Sequence, residues 1–265
     1  MQMDSIEYSR QIRIEIIKMV YHAKASHVGG ALSMVDLLAV LYNEILRIDP
    51  SDPENPGRDR FFLSKGHACT GLYATLALKG FFNILELETY SQNESRFLSH
   101  VSHKIPGVEL STGSLGHALP VACGVALAAK RQRNNFRVFV LLSDGELDEG
   151  SNWEAILFAA HHKLDNLICV IDYNKIQSLG SVKEVIDLHP LKEKFDSFNW
   201  NTSEINGHDH NEIRKALTAD YTGRPYCIVA NTIKGKGVDF MQNDLLWHYR
   251  SPSKEQLELA LNQLM

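Results

Sequence analysis

The chain has few cysteines and no long apolar run, and both shortages narrow the class of protein it can be. Its 265 residues include four cysteines, none of them in a CxxC pair: Cys69, Cys123, Cys169 and Cys227. We expect buried thiols in a cytoplasmic protein rather than a metal or redox site. No apolar run approaches the roughly 20 residues of a membrane span, and the mixed-charge N-terminus lacks the features of a signal peptide.

Positive charge is also scarce. The chain has 27 Lys and Arg against 32 Asp and Glu, which gives a formal net charge of −5. This balance argues against a general nucleic acid-binding protein, but it leaves room for a local site that binds a small phosphorylated ligand. No internal repeat or low-complexity linker interrupts the sequence, and its length is normal for one large α/β domain.

Near-continuous apolar segments predict strands that are covered on both faces, as in a parallel sheet. These segments are 60–64, 136–143, 167–173 and 226–233. Apolar residues at helical spacing predict helices at 5–23, 33–47, 66–79, 117–133, 151–163 and 209–220, with Ser33 as the N-cap of the second. The alternation predicts a doubly wound, mainly parallel α/β sheet with helices on both faces. Ligands bind such sheets beyond the carboxyl ends of the strands.

An acidic stretch, LLSDGELDEGSNWEA, begins in one predicted strand. Asp144 ends that strand, Gly145 permits a sharp turn, and Asn174 follows the next strand. Neighbouring parallel strands would bring Asp144 and Asn174 together, where carboxylate, amide and carbonyl oxygens could bind Mg²⁺ if a diphosphate completed the shell. Taken singly, Asp144 could be a helix cap and Asn174 a turn residue. Glu146 and Asp148 are expected to be solvated near a helix N-terminus, where negative charge is favourable.

Several blocks in this order resemble the N-terminal part of transketolases, over roughly residues 8–250. They are RDRFFLSKGHA, PGVELSTGSLGHALPVACGVALAAK, SDGELDEGSNWEA, VIDYNKIQSLG, INGHDH and TIKGKGV. The SDG…N pattern is similar to the thiamine diphosphate motif, which is usually GDG followed by Asn. The resemblance implies the thiamine diphosphate-binding fold, with residues 1–265 forming a single diphosphate-binding domain. It also implies thiamine diphosphate as cofactor, with Mg²⁺, or Ca²⁺ or Mn²⁺ in its place.

The resemblance also implies roles for particular residues. Asp144, Asn174 and the carbonyl of Ile176 would bind the metal. Further cofactor contacts would come from His67, Gly113, Leu115, Gly145, Glu149, Glu154 and His248. Catalytic groups would be His27, His67, His248, Glu149 and either His100 or His103, because imidazoles titrate near neutrality and suit proton transfer at sugar hydroxyls. Glu149 and Glu154 would face the partner and support a carboxylate that the partner supplies.

The sequence departs from the family pattern in two places. Ser143 stands where the motif usually has Gly, which could alter the approach to the diphosphate. The usual GHP histidine has no clean match in FLSHVSHKIPGVE, where His100 is the nearer candidate and His103 the other. The KGKG segment at 234–237 could approach a phosphate or simply turn the chain, because it lacks the full P-loop pattern.

The chain stops where a full-length transketolase continues with a pyrimidine-binding domain and a C-terminal domain. The resemblance therefore implies the N-terminal subunit of a split transketolase, in an α2β2 heterotetramer with a C-terminal subunit that carries the pyrimidine-binding domain. Its activity would be transfer of a two-carbon ketol from a ketose phosphate to an aldose or aldose phosphate acceptor, as in the pentose phosphate pathway. The chain alone would be inactive, because the glutamate and aromatic wall for the aminopyrimidine would be missing.

Three alternatives remain open at this point. The chain could belong to a split transketolase that acts on an unusual sugar, or it could be the α subunit of another thiamine diphosphate enzyme, such as a 2-oxo acid dehydrogenase. A non-catalytic regulatory homologue is the third. The His27, His67 and STGSLGH blocks favour transketolase over the dehydrogenase, and the intact metal-motif residues argue against a regulatory homologue.

Overall fold

The computed structural model describes residues 3–220 and 222–265. Within these residues, five parallel strands form one sheet in the order β1-β2-β3-β5-β4. The strands are β1 (Arg60–Leu63), β2 (Val138–Ser143), β3 (Leu167–Tyr173), β4 (Asn201–Asn206) and β5 (Tyr226–Asn231). In the register of β2 and β3, Ser143 lies opposite Asp172, so the carboxyl ends of these two strands meet at the same edge.

Helices cover the sheet and fill its connections. They are α1 (Ser5–Ala23), α2 (Val28–Ser33), α3 (Val35–Val40), α4 (Cys69–Lys79), α5 (Ala118–Arg131), α6 (Gly150–His161), α7 (Val182–Val185), α8 (Leu191–Ser197), α9 (His210–Leu217) and α10 (Lys254–Leu264). A π-helical turn at Leu41–Ile45 extends α3. Short 3-10 turns lie at Gly66–Ala68, Ile84–Thr89, Gly145–Asp148, Asp239–Met241 and Leu245–His248.

Two hydrophobic cores lie on opposite faces of the sheet. Successive side chains of a strand point to opposite faces, as β2 shows. Phe139 and Leu141 join the core beneath α1, α3, α4, α9 and α10. Val140 and Leu142 join the core beneath α5, α6 and α8. Both faces of β2 are buried throughout. The predicted doubly wound α/β sheet with helices on both faces is therefore confirmed.

The predicted elements agree with the structure except in a few places. The four predicted strands are present, but β4 was not predicted, and the predicted helix at 33–47 is instead α3 followed by the π-helical turn. The prediction that Ser33 caps this helix is wrong. Ser33 ends α2, and its hydroxyl lies 3.1 Å from the Gly30 carbonyl and 2.5 Å from the Asp172 carboxylate. Ser33 belongs to the last turn of α2, so Met34 takes the N-cap position of α3, and the hydroxyl donates a charge-assisted hydrogen bond to the buried carboxylate.

The cysteines and the membrane prediction can also be compared with the structure. All four cysteines are free and buried, as predicted. None of the helices in the described ranges is both long enough and apolar enough to cross a membrane.

Candidate cofactor and active site

A cavity of about 250 Å³ opens at the carboxyl ends of the strands. The segments that follow β1, β2, β3 and β5 all contribute to its walls, as expected for a ligand site in a parallel α/β sheet. Its lining includes His27, Gly30, Lys65, His67, His100, Gly113, Leu115, Ser143, Asp144, Gly145, Asn174, Ile176, Gln177, Ser178, Lys234 and His248. Most of the residues that the sequence singled out are therefore brought together here.

Asp144 and Asn174 meet at one end of this cavity, as the sequence predicted. The Asp144 carboxylate is buried and accepts hydrogen bonds from the backbone N–H groups of Gly145 (2.8 Å) and Lys175 (2.6 Å). The Asn174 side-chain oxygen accepts one from the N–H of Ile176 at 3.2 Å. Burial, and then the negative charge of Asp172, raise the pKa of Asp144 to about 6.

The donor atoms at this end fit a magnesium diphosphate. The Asp144 carboxylate, the Asn174 amide oxygen and the Ile176 carbonyl are hard oxygen ligands of the kind that Mg²⁺ prefers. Among the described residues, no group of three or more His, Cys, Asp or Glu side chains could hold a metal by itself. Phosphate oxygens together with water would complete the shell. The hydrogen bonds to the buried Asp144 carboxylate come from backbone N–H groups, so a cation would provide the counter-charge for it.

Four histidines surround the other end of the cavity. The ring centroids of His27 lie 5.1 Å from His67, 5.0 Å from His248 and 6.2 Å from His100. His103, in contrast, is exposed and does not line the cavity; its Nδ1 lies 2.7 Å from the Ser111 hydroxyl. Of the two candidates for the family's GHP histidine, the structure therefore places His100 in the cluster and His103 outside it.

The surroundings of His27, His67 and His248 favour the neutral form of each ring. Burial, and then the neighbouring Lys65, hold the pKa of His67 well below its usual value. Burial, and then Lys234, lower the pKa of His248 to about 3, and burial followed by the charge of His100 lowers the pKa of His27. Neutral imidazoles can each donate and accept a hydrogen bond, so these rings suit contacts with sugar hydroxyls.

A buried ion pair beneath the cavity was not predicted. Lys65 and Asp172 form a salt bridge and are almost fully buried, and the Lys65 ammonium also donates to the Gly30 carbonyl at 2.7 Å. Asp172 accepts further hydrogen bonds from the hydroxyls of Ser33 and Thr232. A charged residue in the otherwise apolar strand LICVIDY was the signal that could have revealed this pair.

Lys234 lines the same cavity from the segment after β5. Its ammonium donates to the Ile176 carbonyl at 2.9 Å and to the Gln177 carbonyl at 3.3 Å, and it lies 3.3 Å from Nδ1 of His248. Burial lowers the pKa of Lys234 to about 8. The KGKG segment was expected either to approach a phosphate or to turn the chain. In the structure Lys234 faces the metal end of the cavity, and Gly235 turns the chain at a φ of 78°.

The prediction that Glu146 is solvated is wrong. Glu146 is fully buried, and its carboxylate accepts hydrogen bonds from the Ser64 hydroxyl and from the backbone N–H groups of Gly116 (2.9 Å) and Ser143 (3.4 Å). The 3-10 turn at Gly145–Asp148 folds Glu146 back under the ends of β1 and β2. Asp148 is exposed, as predicted.

Comparison with known proteins identifies the family. The family described as transketolase, thiamine diphosphate binding domain, matches residues 4–260. The chain belongs to the transketolase family. This confirms the predicted relationship and the association with thiamine diphosphate, and it favours transketolase over the 2-oxo acid dehydrogenase alternative.

Two similar relatives of about the same length are subunits of split enzymes. The transketolase-family chain is 39% identical to a subunit of the apulose-4-phosphate transketolase of Phocaeicola vulgatus, over 100% of this chain and 95% of the relative. It is 38% identical to 6-deoxy-6-sulfo-D-fructose transketolase subunit SqwG of a Clostridium species, over 99% of this chain and 97% of the relative. The prediction of an N-terminal, transketolase-type enzyme subunit is thus confirmed.

Solved transketolases share the fold but are longer. The enzyme from Campylobacter jejuni superposes with a TM-score of 0.92 at 31% identity, and the chain covers 42% of its length. The enzyme from Leishmania mexicana gives a TM-score of 0.93 at 28% identity, again over 42% of its length. This transketolase-family chain therefore spans about two fifths of the length of these enzymes.

The remaining predicted residues divide between the cavity and the surface. Gly113, Leu115 and Gly145 line the cavity of this transketolase-family chain. Glu149 and Glu154 are exposed and do not line it. Their predicted role depends on a partner surface, so it stays a prediction.

Proposed function

We propose that this chain is the diphosphate-binding subunit of a two-subunit transketolase. The enzyme transfers a two-carbon ketol unit from a ketose phosphate to an aldose acceptor, and it uses thiamine diphosphate with Mg²⁺. One observation carries the proposal: in a transketolase-family chain, a single cavity joins an oxygen-ligand set to a cluster of four histidines. When bound, thiamine diphosphate supplies the nucleophilic carbon that takes up the ketol unit.

The metal end of the cavity would bind and orient the cofactor. Asp144, Asn174 and the Ile176 carbonyl would hold Mg²⁺, and the metal would hold the diphosphate. Gly145 permits close packing beside them, since a Cβ there would come within 3.0 Å of the Gln177 side chain. Ca²⁺ or Mn²⁺ could replace Mg²⁺ at an all-oxygen site of this kind.

The histidine end would bind the sugar. His27, His67, His100 and His248 are close enough to form one hydrogen-bonding wall around a small polyol. Because the pKa values of His27, His67 and His248 are lowered, these rings would be neutral near pH 7 and able to accept a hydrogen bond from a substrate hydroxyl. His103 lies outside this wall and has no role in the proposal.

A second polypeptide would complete the site. The names of the two relatives as subunits support a partner, which would carry the pyrimidine-binding domain. Glu149, at the N-terminus of α6, and Glu154, on α6, are exposed and would face that domain, in an α2β2 assembly. Leu157 and Phe158 on the same helix, α6, are 60% and 40% exposed, which supports a covered surface there. The free, buried cysteines fit a reducing compartment such as the cytoplasm.

An unusual sugar is the second candidate for the substrate. The relatives named for apulose-4-phosphate and for 6-deoxy-6-sulfo-D-fructose are 38–42% identical to this chain, whereas human transketolase is 34% identical. Ser143 also lines the cavity where the family motif usually has Gly, so the site is not that of the common pattern.

Activity measurements on the native complex test both candidates. The tagged chain is recovered from its host with any co-purifying polypeptide and assayed with Mg²⁺ and thiamine diphosphate. Xylulose 5-phosphate, apulose 4-phosphate and 6-deoxy-6-sulfo-D-fructose are compared as donors, with ribose 5-phosphate as one acceptor. We expect ketol transfer that depends on the second polypeptide and disappears in Asp144→Asn. Turnover by the pure chain alone, or a complex that does not bind thiamine diphosphate, would contradict the proposal.

A further inference from the structure

A network of side chains outside the lining of this cavity surrounds a buried carboxylate. Its centre is Asp36 on α3, which is 5% exposed. Arg13 Nη2 and His208 Nδ1 lie 2.6 Å and 2.7 Å from the Oδ2 atom of Asp36, and His210 Nε2 lies 3.2 Å from Oδ1. These side chains come from α1, from the turn after β4 and from the start of α9. Two other parts of the chain, α1 and the connection from β4 to α9, therefore converge on this one carboxylate of α3.

Two branches of the network continue to the segment that follows β5. His208 Nε2 accepts a hydrogen bond from the backbone N–H of Ile233 at 2.8 Å. Because Nε2 is the acceptor, the ring proton lies on Nδ1 and is donated to Asp36. Arg13 Nε donates to the carbonyl of Lys236 at 3.1 Å. Asp36 thus orients both of the side chains that hold the two ends of this segment.

The held segment carries Lys234 into the cavity. Its ammonium reaches the Ile176 carbonyl at 2.9 Å and His248 at 3.3 Å. Lys234 is 2% exposed, so its side chain has little freedom to compensate for a displaced backbone. The position of this charge relative to the metal end therefore depends on the hydrogen bonds at Ile233 and Lys236.

We propose that Asp36, Arg13 and His208 are positioning residues for Lys234. They fix the backbone on both sides of it, and so set how tightly the cavity binds a diphosphate. The inference rests on the proposed function, because it takes thiamine diphosphate with Mg²⁺ as the ligand. Partners of this outer kind typically change the affinity of a metal site by roughly 10–100-fold.

A matched pair of substitutions at His208 separates positioning from folding. In His208→Asn the amide N–H replaces Nδ1–H and keeps the bond to Asp36, but nothing accepts the Ile233 N–H. In His208→Gln the terminal oxygen replaces Nε2 as that acceptor. Calorimetry on the complex recovered with its partner gives the Kd of thiamine diphosphate with Mg²⁺. We expect the Kd to rise about tenfold in His208→Asn and to stay within about threefold in His208→Gln.

Two further variants make the result specific to Lys234. In a Lys234→Ala background, His208→Asn should have no additional effect on the Kd, since coupled residues are not additive. Asp59→Asn is the control: Asp59 is a buried carboxylate bonded to Arg47 and Arg137 beside the start of β1, at the opposite end of the sheet. It should lower the thermal midpoint and leave the Kd unchanged.

Three results would overturn the inference. His208→Asn could leave the Kd unchanged, or it could raise the Kd equally with and without Lys234. An equal rise in Asp59→Asn would show that the Kd follows general stability. If neither the wild-type complex nor the Lys234→Ala complex bound thiamine diphosphate, the proposed function would be wrong. This inference, which rests on it, would then fail as well.

Discussion

At the scale of residues, the site contains four buried charged groups, and one direct ion pair joins two of them. Asp144 and Asp172 contribute two carboxylates, and Lys65 and Lys234 contribute two ammonium groups, all of them almost fully buried. Lys65 forms a direct ion pair with Asp172, whereas Lys234 bonds to backbone carbonyls. Of the two carboxylates, Asp144 is consequently the one that neither ammonium group neutralises directly. Burying a charge in this way is costly unless a ligand compensates for it.

The substitution Asp144→Asn should therefore separate binding from stability. We expect the Kd of thiamine diphosphate with Mg²⁺ to rise by at least about 100-fold, because removing a ligand costs no less than removing its outer partners. The thermal midpoint of the ligand-free complex should not fall, because the variant no longer buries an uncompensated charge. Calorimetry and thermal denaturation measure the two effects.

The control for this substitution is Asp148→Asn. Asp148 is exposed and lies on the same 3-10 turn, so neither the Kd nor the midpoint should change. A marked fall in the midpoint of Asp144→Asn would show that Asp144 is mainly a structural cap of that turn.

A second residue-scale prediction concerns Asp36 and acid. Burial alone would raise its pKa, but hydrogen bonds from His208 and His210, together with Arg13, hold the pKa well below the usual value. A carboxyl whose pKa is lowered by folding stabilises the native state fully above its unfolded pKa, near 3.9, and less as pH falls through that value. Asp36→Asn should thus cost about 3–5 kcal/mol at pH 7.

Denaturant unfolding at several pH values measures this effect. The difference between wild type and Asp36→Asn should be constant down to about pH 5 and then shrink by about 1.4 kcal/mol per pH unit below the unfolded pKa. Asp52→Asn, at an exposed carboxylate, should stay within about 0.5 kcal/mol of wild type throughout. A difference that grew with acid would contradict the assigned direction of the pKa.

The sequence allowed part of the site to be predicted at this scale. Asp144 and Asn174 could be found because each follows a recognisable apolar strand in a spacing that one motif explains. Lys65 and Glu146 could not be found in that way, since their burial depends on partners that are distant in sequence. The Lys65–Asp172 pair spans 107 positions and the Ser64–Glu146 bond spans 82.

At the scale of elements, the apolar strands could be predicted from the sequence, whereas the polar strand could not. The central strands β2 and β3 are buried along their whole length, and their apolar runs made them easy to predict. The edge strand β4 pairs with β5 alone and has the polar sequence Asn201–Asn206, with no fully buried position. Nothing in its composition separates such a strand from a loop, because an edge strand is stabilised by backbone hydrogen bonds from its neighbour.

Alanine substitutions at two glycines, one in a crowded position and one in an open position, give a matched pair of predictions for stability. A Cβ at Gly66, in the 3-10 turn after β1, would collide with the backbone carbonyl of Thr112. Gly66→Ala must push apart the loops that carry His67 and Gly113, and we expect destabilisation of about 1–3 kcal/mol. A Cβ at Gly124, inside α5, would meet nothing within 4 Å.

Gly124→Ala should accordingly stabilise the protein by about 0.5–1 kcal/mol, because alanine loses less conformational entropy in a helix. Urea unfolding of the two variants measures both changes. If Gly66→Ala were as stable as wild type, the close approach between the two loops would not be required for the fold.

At the scale of the whole molecule, the cavity is lined by segments that belong to both helix-covered sides of the sheet. His67 and Gly30 belong to the side of the sheet covered by α2 and α4, whereas Asp144 and Gly145 lead into α6 on the other side. The strands that carry the site are the central ones, apart from β1 at one edge. A ligand that bridges these segments stabilises the arrangement of both layers, so its binding should be visible in global unfolding.

The final prediction follows from that linkage. Thiamine diphosphate with Mg²⁺, at about 100 times its Kd, should stabilise the recovered complex by about 2.7 kcal/mol. The thermal midpoint of the complex should rise with it. Thiamine without its diphosphate, at the same concentration and with Mg²⁺, should give almost no rise, because Asp144 and Asn174 act on the diphosphate through the metal. An equal rise with thiamine would mean that the metal end of the cavity does not supply the binding energy.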